Sequence, residues 1–355
     1  MPSSVASSVV TGPAADAAGD TVSGADAPAH GDRLLSLRLD ARPARDGAAP
    51  LKCAVDLRIP NRITQPARLL VCLPGGGMNR RFFDLMSGDD DSYSFARAMT
   101  AQGYLVAMLD HPGIGDSDRP LDADTLTPDF IADANAQVTA QLLSGLRSGT
   151  LDSGVAALPT LQSIGVGHSM GAMLTVLQQA AHAQHRAIAV LGFSTRGLPE
   201  YVSTEVLALS RTEQRARLVE LARLSFAKPA TAAPAAPRSG DAANTGDFYA
   251  AGKAEPRGAA ALRPALDRML TLPAFLSMLP DNIAEACAQI RVPVFIGLGE
   301  LDIAGPTHAV PASFAASTEV CLHILPQAGH SHFIFAARRG LFRRMAQWLR
   351  ALAEE

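Results

Sequence analysis

Short continuous runs of apolar residues recur along the chain from residue 69 onwards, and segments with apolar residues three and four positions apart lie between most of them. Such short runs are typical of strands that are buried on both faces of a parallel sheet. The predicted strands are residues 69–73, 104–109, 163–166, 187–193, 292–298 and 320–325, and the predicted helices are residues 92–102, 128–146, 170–184 and 342–352. Strands that alternate with helices predict an α/β fold with a mostly parallel central sheet flanked by helices.

Two segments with strictly alternating apolar residues precede these runs. Apolar residues occupy every second position in residues 35–39 and again in residues 53–59, and turn-forming residues fill most of the interval between them. This pattern predicts a β-hairpin at the start of the sheet. Residues 1–32 contain few large apolar side chains that could offset the entropy of ordering, and we expect them to be disordered. The folded core is therefore predicted to begin at residue 33.

A long interval separates the predicted strand that ends at Phe193 from the one that starts at Val292. Residues 204–226 and 266–279 have helical spacing, whereas residues 227–246 contain three prolines and no aliphatic residue larger than alanine. We therefore predict an inserted helical cap over residues 196–290, with a flexible linker at residues 227–246. The cap would divide the core into residues 33–195 and residues 291–355.

Composition narrows the classes of partner. Of the 355 residues, 48% are hydrophobic and 18% are charged, and 31 Lys and Arg against 34 Asp and Glu give a net charge of −3. This balance disfavours nucleic acid as a partner. No apolar run approaches the roughly 20 residues that span a bilayer, so no membrane partner is expected. A small-molecule substrate is the expected partner.

The cysteines and the first residues bear on the compartment. Cys53, Cys72, Cys287 and Cys321 lie far apart, without the spacing of a metal or redox motif, and are predicted to be buried free thiols. The first basic residue is Arg33, so the amino terminus lacks the positive region of a signal peptide. These features predict a cytoplasmic protein with no cofactor and no metal.

One motif carries chemistry. The predicted strand at residues 163–166 leads into Gly167-His168-Ser169-Met170-Gly171, and a predicted helix follows at once. In a Gly-x-Ser-x-Gly motif between a strand and a helix, the serine lies in a tight, strained turn that exposes its hydroxyl above the sheet. Glycine on both sides lets the strand and the helix approach each other. Ser169 is therefore the candidate nucleophile.

We call the turn at residues 167–171 the elbow. With this elbow and the predicted alternation of strands and helices, the chain resembles the α/β-hydrolase family over most of residues 34–355, outside the inserted cap. The resemblance implies a serine, an acid and a histidine in that chain order, the acid after a late strand and the histidine before the last helix. Asp302, in Gly-Glu-Leu-Asp, and His330, in Ala-Gly-His-Ser-His, match those positions. The resemblance therefore implies Ser169, Asp302 and His330 as catalytic residues.

The resemblance also implies an oxyanion hole made of two backbone N–H groups. One belongs to the residue after the serine, Met170, and the other to the glycine-rich loop after the first parallel strand. In this chain that loop is Pro74-Gly75-Gly76-Gly77, and Gly76 or Gly77 would be the donor. Relatives often have histidine where this chain has Pro74, which leaves open what supports the loop.

Each site residue has a rival in the sequence. Glu300 and Glu200 also follow strands and compete with Asp302 for the role of the acid, and Asp302 could instead cap a following helix. His332 competes with His330, but we expect it to face elsewhere or to line the pocket. His168 is expected to pack within the elbow.

Two acidic segments have structural interpretations. Residues 110–117 resemble a family loop whose first task is a sharp backbone turn. Three consecutive aspartates at residues 89–91 lack the alternating spacing of calcium ligands, and such a run is typical of a solvated helix start. We assign no metal to them.

The sequence therefore predicts a serine hydrolase that cleaves a carboxylic ester of a small or medium hydrophobic substrate, with thioesters, lactones and amides as substrates of the same machinery. An acyltransferase with the same three residues is one alternative. A small-molecule receptor that retains the pocket without turnover is another, and fold alone does not decide between them.

Overall fold

The computed structural model describes residues 32–42, 50–226 and 253–352, and its centre is an eight-stranded sheet. The strands are β1 (Arg33–Arg42), β2 (Leu51–Ile59), β3 (Arg68–Leu73), β4 (Leu105–Leu109), β5 (Gln162–His168), β6 (His185–Leu191), β7 (Val294–Gly299) and β8 (Val320–Leu325). Their spatial order is β1-β2-β4-β3-β5-β6-β7-β8. β2 is antiparallel to both β1 and β4, and the other neighbours are parallel. The predicted hairpin and the mostly parallel sheet are confirmed.

Ten α-helices are described. They are α1 (Phe95–Thr100), α2 (Pro128–Ser148), α3 (Met170–His182), α4 (Thr204–Leu207), α5 (Arg211–Ala216), α6 (Leu218–Phe226), α7 (Pro256–Leu262), α8 (Thr271–Met278), α9 (Ala284–Gln289) and α10 (Arg338–Ala351). The predicted helix at residues 92–102 is shorter than expected, because the Ser94 hydroxyl caps it by accepting the Arg97 N–H. The last helix begins before residue 342, at Arg338.

The sheet separates two apolar layers. β3 and β4 are buried along their whole length, as expected for strands covered on both faces. One layer contains the apolar sides of α2 and α3, and the other contains α1, α10 and a cluster of phenylalanines. Helices on both faces leave the carboxyl ends of the parallel strands accessible, and open α/β sheets bind ligands at that edge.

The interval between β6 and β7 contains the helices α4 to α9. We call residues 196–290 the cap segment. Its helix α8 packs against α6 and also against α2 and α3 of the core. The predicted linker at residues 227–246 lies outside the described residues, as does the predicted disordered segment except for Asp32, whose carboxylate pairs with Arg58 at 2.5 Å.

The four cysteines are buried and free, as predicted. Burial raises the pKa of Cys53 and of Cys287 to about 12, so these thiols are protonated at neutral pH. In the parts of the chain that the structure describes, no helix has both the length and the apolar character needed to cross a membrane.

Candidate active site

Ser169 lies at the junction of β5 and α3 in a strained turn. Its φ of 55° and ψ of −122° are unfavourable for a residue with a side chain. A Cβ at Gly171 would lie 2.1 Å from the Leu73 carbonyl oxygen, and one at Gly167 would lie 2.3 Å from the Gly171 carbonyl oxygen. Both flanking positions therefore require glycine, for the steric reason that the motif suggested.

The structure brings Ser169, His330 and Asp302 together. Ser169 follows β5, Asp302 follows β7 and His330 follows β8, and the carboxyl ends of these parallel strands lie at one edge of the sheet. His330 Nε2 is 2.9 Å from Ser169 Oγ, and His330 Nδ1 is 2.8 Å from Asp302 Oδ1. The side chains of Asp302 and His330 are 0% and 5% exposed. The three side chains form one continuous chain of hydrogen bonds, which runs from the buried Asp302 to the half-buried Ser169.

The Asp302 carboxylate has further partners. The Ala304 N–H donates to Oδ1 at 3.0 Å, and the Gly299 N–H lies 3.3 Å from Oδ2. Burial alone would raise the pKa of Asp302, but its charge and hydrogen-bond interactions with His330 and His332 outweigh burial and keep that pKa well below its ordinary value. The carboxylate is therefore ionised at neutral pH.

His332 does not face away from the site or line the pocket, so that expectation was wrong. Its Nε2 lies 2.7 Å from Asp302 Oδ2, and both side chains are 0% exposed. Because a carboxylate only accepts hydrogen bonds, Nε2 carries the proton and donates it. His332 thus holds the oxygen of Asp302 that His330 does not contact. The two-residue spacing from His330 in the sequence gave no indication of this shared partner.

His168 packs within the elbow, as expected. Its Nε2 donates to the His330 carbonyl oxygen at 2.8 Å, and its ring packs against Phe82 with 4.5 Å between centroids. Burial, reinforced by the proximity of His330 and His332, lowers the pKa of His168 well below its ordinary value. Because His168 is neutral, it does not repel a positive charge that forms on the neighbouring His330 ring.

The rival acids lie elsewhere. Glu300 is exposed and accepts the backbone and side-chain N–H groups of Gln327 at 2.8 and 2.9 Å. Glu200 is exposed and pairs with Arg196. The structure places neither carboxylate in contact with His330, whereas Asp302 is 2.8 Å away.

The glycine-rich loop lies beside the elbow. Gly76 and Met170 line the same cavity as Ser169, and Gly77 is not among the described residues that line it. Met170 is the first residue of α3, where backbone N–H groups have no partner within the helix. Of the two glycines proposed as oxyanion donors, Gly76 is therefore the better positioned, because it lines the cavity beside Ser169.

A buried histidine supports this loop. His111 Nε2 donates to the Pro74 carbonyl oxygen at 3.1 Å, and the Asn135 amide lies 3.1 Å from His111 Nδ1. Burial lowers the pKa of His111, which keeps the ring neutral with its single proton on Nε2. His111 therefore supports the loop at Pro74, a role that the sequence did not indicate.

The two acidic segments have structural roles. Asp110 is buried and pairs with Arg80, and it also accepts the Arg80 N–H at 2.7 Å. Asp90 accepts the Ser92 N–H at 3.0 Å in a turn before α1. Among the described residues, no group of His, Cys, Asp and Glu side chains could hold a metal ion.

An apolar cavity of about 80 Å³ opens above Ser169. Core and cap residues line it together, and no Asp, Glu, Lys or Arg is among the described ones. The large aliphatic, methionine and phenylalanine side chains among the described lining residues are Met78, Met170, Leu198, Phe226, Met269, Met278 and Ile303. The site therefore combines a hydrogen-bonded serine with an uncharged binding cavity.

A family model described as "Alpha/beta hydrolase family" matches residues 70–341, which is more than half of the chain and includes Ser169, Asp302 and His330. The chain belongs to the alpha/beta hydrolase family. No curated protein matches this hydrolase by sequence with significance.

Solved structures of alpha/beta hydrolases share the fold of this one. An esterase from Thermogutta terrifontis has a TM-score of 0.54 at 16% identity, covering 90% of this chain and 99% of its own. A bromoperoxidase from Bacillus anthracis has a TM-score of 0.55 at 16% identity, with 90% and 100% covered. A proline iminopeptidase from Mycobacterium smegmatis has a TM-score of 0.54 at 17% identity, with 90% and 99% covered. At these identities the likeness shows the fold and leaves the substrate open.

Proposed function

We propose that this alpha/beta hydrolase cleaves carboxylic esters of small, uncharged substrates through an acyl-enzyme on Ser169. The observation that carries the proposal is the hydrogen-bonded chain of Ser169, His330 and Asp302 at the wall of an apolar cavity. A neutral serine hydroxyl is a weak nucleophile at pH 7, and a base in contact with it provides the activation that acyl transfer needs.

In the proposed first step, Ser169 Oγ attacks the carbonyl carbon of the ester while its proton moves to His330 Nε2. The imidazolium ion that forms donates its Nδ1–H to Asp302, whose low pKa keeps it ionised. The carbonyl oxygen becomes negatively charged and accepts hydrogen bonds from the N–H groups of Met170 and Gly76. When the ester bond breaks, the leaving alcohol takes the proton from His330 Nε2.

In the second step, water replaces the alcohol. His330 Nε2 takes a proton from the water as its oxygen attacks the acyl carbon, and the same two N–H groups stabilise the second oxyanion. The bond to Ser169 Oγ then breaks, and His330 returns the proton to that oxygen. The products are a carboxylic acid and the regenerated enzyme.

The cavity favours a short, uncharged acyl group. Its volume of about 80 Å³ is small beside the roughly 300–1,000 Å³ of pockets that enclose drug-sized ligands. A charged substrate group would lose hydration there without gaining a charged partner among the described lining residues. Thioesters, lactones and amides of the same size present the same carbonyl group and belong in the substrate panel.

The deciding experiment is intact-mass analysis after exposure to a fluorophosphonate, which reports an activated serine without knowledge of the substrate. The native protein should gain one adduct, and Ser169→Ala and His330→Ala should lose it. His182→Ala is the matched control, because His182 is partly exposed and bonds to Asp133 at 2.8 Å. A folded native protein that forms no adduct would contradict the proposal and favour a receptor.

Product identity then separates hydrolysis from acyl transfer. The native enzyme is incubated with an ester in water and again with an added alcohol or amine. We expect the free acid as the main product in both cases. An acyl group that passes mainly to the added acceptor would instead identify an acyltransferase.

A further inference from the structure

The cap segment is joined to the glycine-rich loop by backbone hydrogen bonds. Met78 and Leu266 form an antiparallel bridge. On one side of it the Asp267 N–H donates to the Gly77 carbonyl oxygen at 2.8 Å, and on the other the Asn79 N–H donates to the Ala265 carbonyl oxygen at 2.8 Å. We call residues 255–267 the strap. At its carboxyl end, the strap thus pairs with the residues that directly follow Gly76.

Two side chains reinforce this pairing. The Asp267 carboxylate accepts the Gly115 N–H at 3.0 Å and lies 3.4 Å from the Asn79 amide nitrogen. That amide nitrogen also donates to the Pro264 carbonyl oxygen at 3.2 Å, while the Asn79 amide oxygen accepts the Arg81 N–H at 3.0 Å. Asp267 and Asn79 therefore connect the strap, the glycine-rich loop and the loop that contains Gly115.

The other end of the strap is also fixed to the core. Glu255 accepts the Tyr93 hydroxyl at 2.6 Å and the Arg338 guanidinium at 2.9 Å, and its N–H donates to the Ile334 carbonyl oxygen at 3.0 Å. Ile334 follows the segment that contains His330. A strap held at both ends restrains the glycine-rich loop from the cap side.

This restraint matters because three consecutive glycines have wide conformational freedom. Within the loop itself, the Met78 N–H donates to the Gly75 carbonyl oxygen at 3.3 Å, and His111 holds only the Pro74 end. The contacts of the strap hold the other end. The Met269 thioether, two residues beyond the strap, lies 3.4 Å from where a Cβ on Gly76 would be. The strap therefore also positions the Met269 side chain that covers Gly76.

We propose that Asp267 and Asn79 are positioning residues, which hold the glycine-rich loop so that the Gly76 N–H points at the oxyanion. In this arrangement the cap segment completes the oxyanion hole in addition to lining the cavity. The inference depends on the proposed acyl-transfer chemistry at Ser169. It assigns a role in the reaction to two residues that do not line the cavity.

Two variants of Asp267 test this role. Asp267→Ala removes both carboxylate oxygens and with them the contacts to the Gly115 N–H and the Asn79 amide. Asp267→Asn keeps an oxygen that can accept the Gly115 N–H. We expect Asp267→Ala to lower both kcat for a short ester and the rate of fluorophosphonate labelling by about 10- to 100-fold, because misplacing one oxyanion donor acts on the transition state. KM should stay within about threefold, since the oxyanion is absent from the ground state. Asp267→Asn should recover most of the loss.

Asn79→Asp provides an independent variant if Asp267→Ala does not fold. It has the same shape and keeps the acceptor for the Arg81 N–H, but it places an oxygen opposite the Pro264 carbonyl and the Asp267 carboxylate. It should lower kcat and the labelling rate in the same way. Glu285→Ala is the matched control, because Glu285 is an exposed carboxylate of the cap segment on α9. It should leave both rates unchanged.

The outcomes separate this inference from the proposed function. If the native protein forms no adduct, the proposed function fails whatever the strap does. If the native protein reacts and folded Asp267→Ala and Asn79→Asp react equally fast, the positioning role is refuted. A rise in KM with unchanged kcat would also refute it, because the strap would then act on substrate binding alone.

Discussion

Replacing His332 with phenylalanine tests how much the second histidine on Asp302 contributes. Among the residues that the structure describes, four neighbours can donate to the Asp302 carboxylate, namely His330, His332, Ala304 and Gly299. His332→Phe removes one of them while filling a similar volume, so the loss of packing is small. His332→Gln keeps an N–H donor and is the matched control.

The expected loss of stability follows from the hydrogen bond. A hydrogen bond to a charged group contributes about 1.5–3 kcal/mol, and Asp302 is fully buried, so solvent does not replace the missing donor. His332→Phe should therefore lower the free energy of unfolding at pH 7 by about 2 kcal/mol. His332→Gln should lower it by less than about 1 kcal/mol. Urea unfolding followed by circular dichroism measures both values.

The kinetic effect should fall on kcat. His332 does not line the cavity above Ser169, so substrate binding is unaffected by its removal. A carboxylate held less firmly orients His330 less well, and a loss of about 1.4 kcal/mol in the transition state corresponds to a tenfold lower kcat with KM unchanged. If His332→Phe keeps both the native stability and the native kcat, the backbone N–H groups of Ala304 and Gly299 suffice to hold Asp302, and the reasoning is refuted.

Three further predictions concern the elbow, the sheet and the cavity. Gly171→Ala should lower the free energy of unfolding in urea by more than about 3 kcal/mol, because its Cβ would lie 2.1 Å from the Leu73 carbonyl oxygen. Gly340→Ala is the control, since the space at its Cβ is open, and it should change the free energy of unfolding by less than about 1 kcal/mol. Burial lowers the pKa of His185 to about 4, whereas a histidine in the unfolded chain has a pKa of about 6.5. Between these two pH values only the unfolded chain binds the extra proton, so the free energy of unfolding falls as the pH falls, by about 3 kcal/mol in total. Unfolding at several pH values should show a shallower decline for His185→Gln, and an equal decline would contradict this assignment. For p-nitrophenyl esters, kcat/KM should decrease by at least about tenfold from butyrate to decanoate because the cavity is small, and a steady rise with chain length would contradict the assigned acyl site.

Much of the fold could be predicted because its signals are local. Runs of apolar residues identify strands covered on both faces, and the elbow glycines identify a close approach of strand and helix. The positions of Asp302 and His330 followed from the resemblance to a family with a fixed chain order. These features depend on residue type within a few neighbouring positions, which a single sequence displays.

The support of the site could not be predicted because it depends on long-range contacts. His332 and Asp302 meet only after two strands have paired, and nothing near His332 in the sequence indicates its partner. His111 reaches the Pro74 carbonyl from another loop. The strap meets the loop through backbone hydrogen bonds, which no side-chain pattern marks, and the side chains of Asp267 and Asn79 that reinforce them lie 188 positions apart in the sequence.

The backbone character of that pairing has a consequence for sequence divergence and for engineering. The hydrogen bonds to Gly77 and Asn79 use backbone atoms of the strap, so we expect substitutions at its exposed positions, such as Arg257 and Arg263, to leave them intact while the path of the chain is kept. Insertions or deletions are different, because they shift which residues face the loop. A chimera that exchanges caps between two such proteins therefore has to transfer the strap together with its partner loop, at matched length.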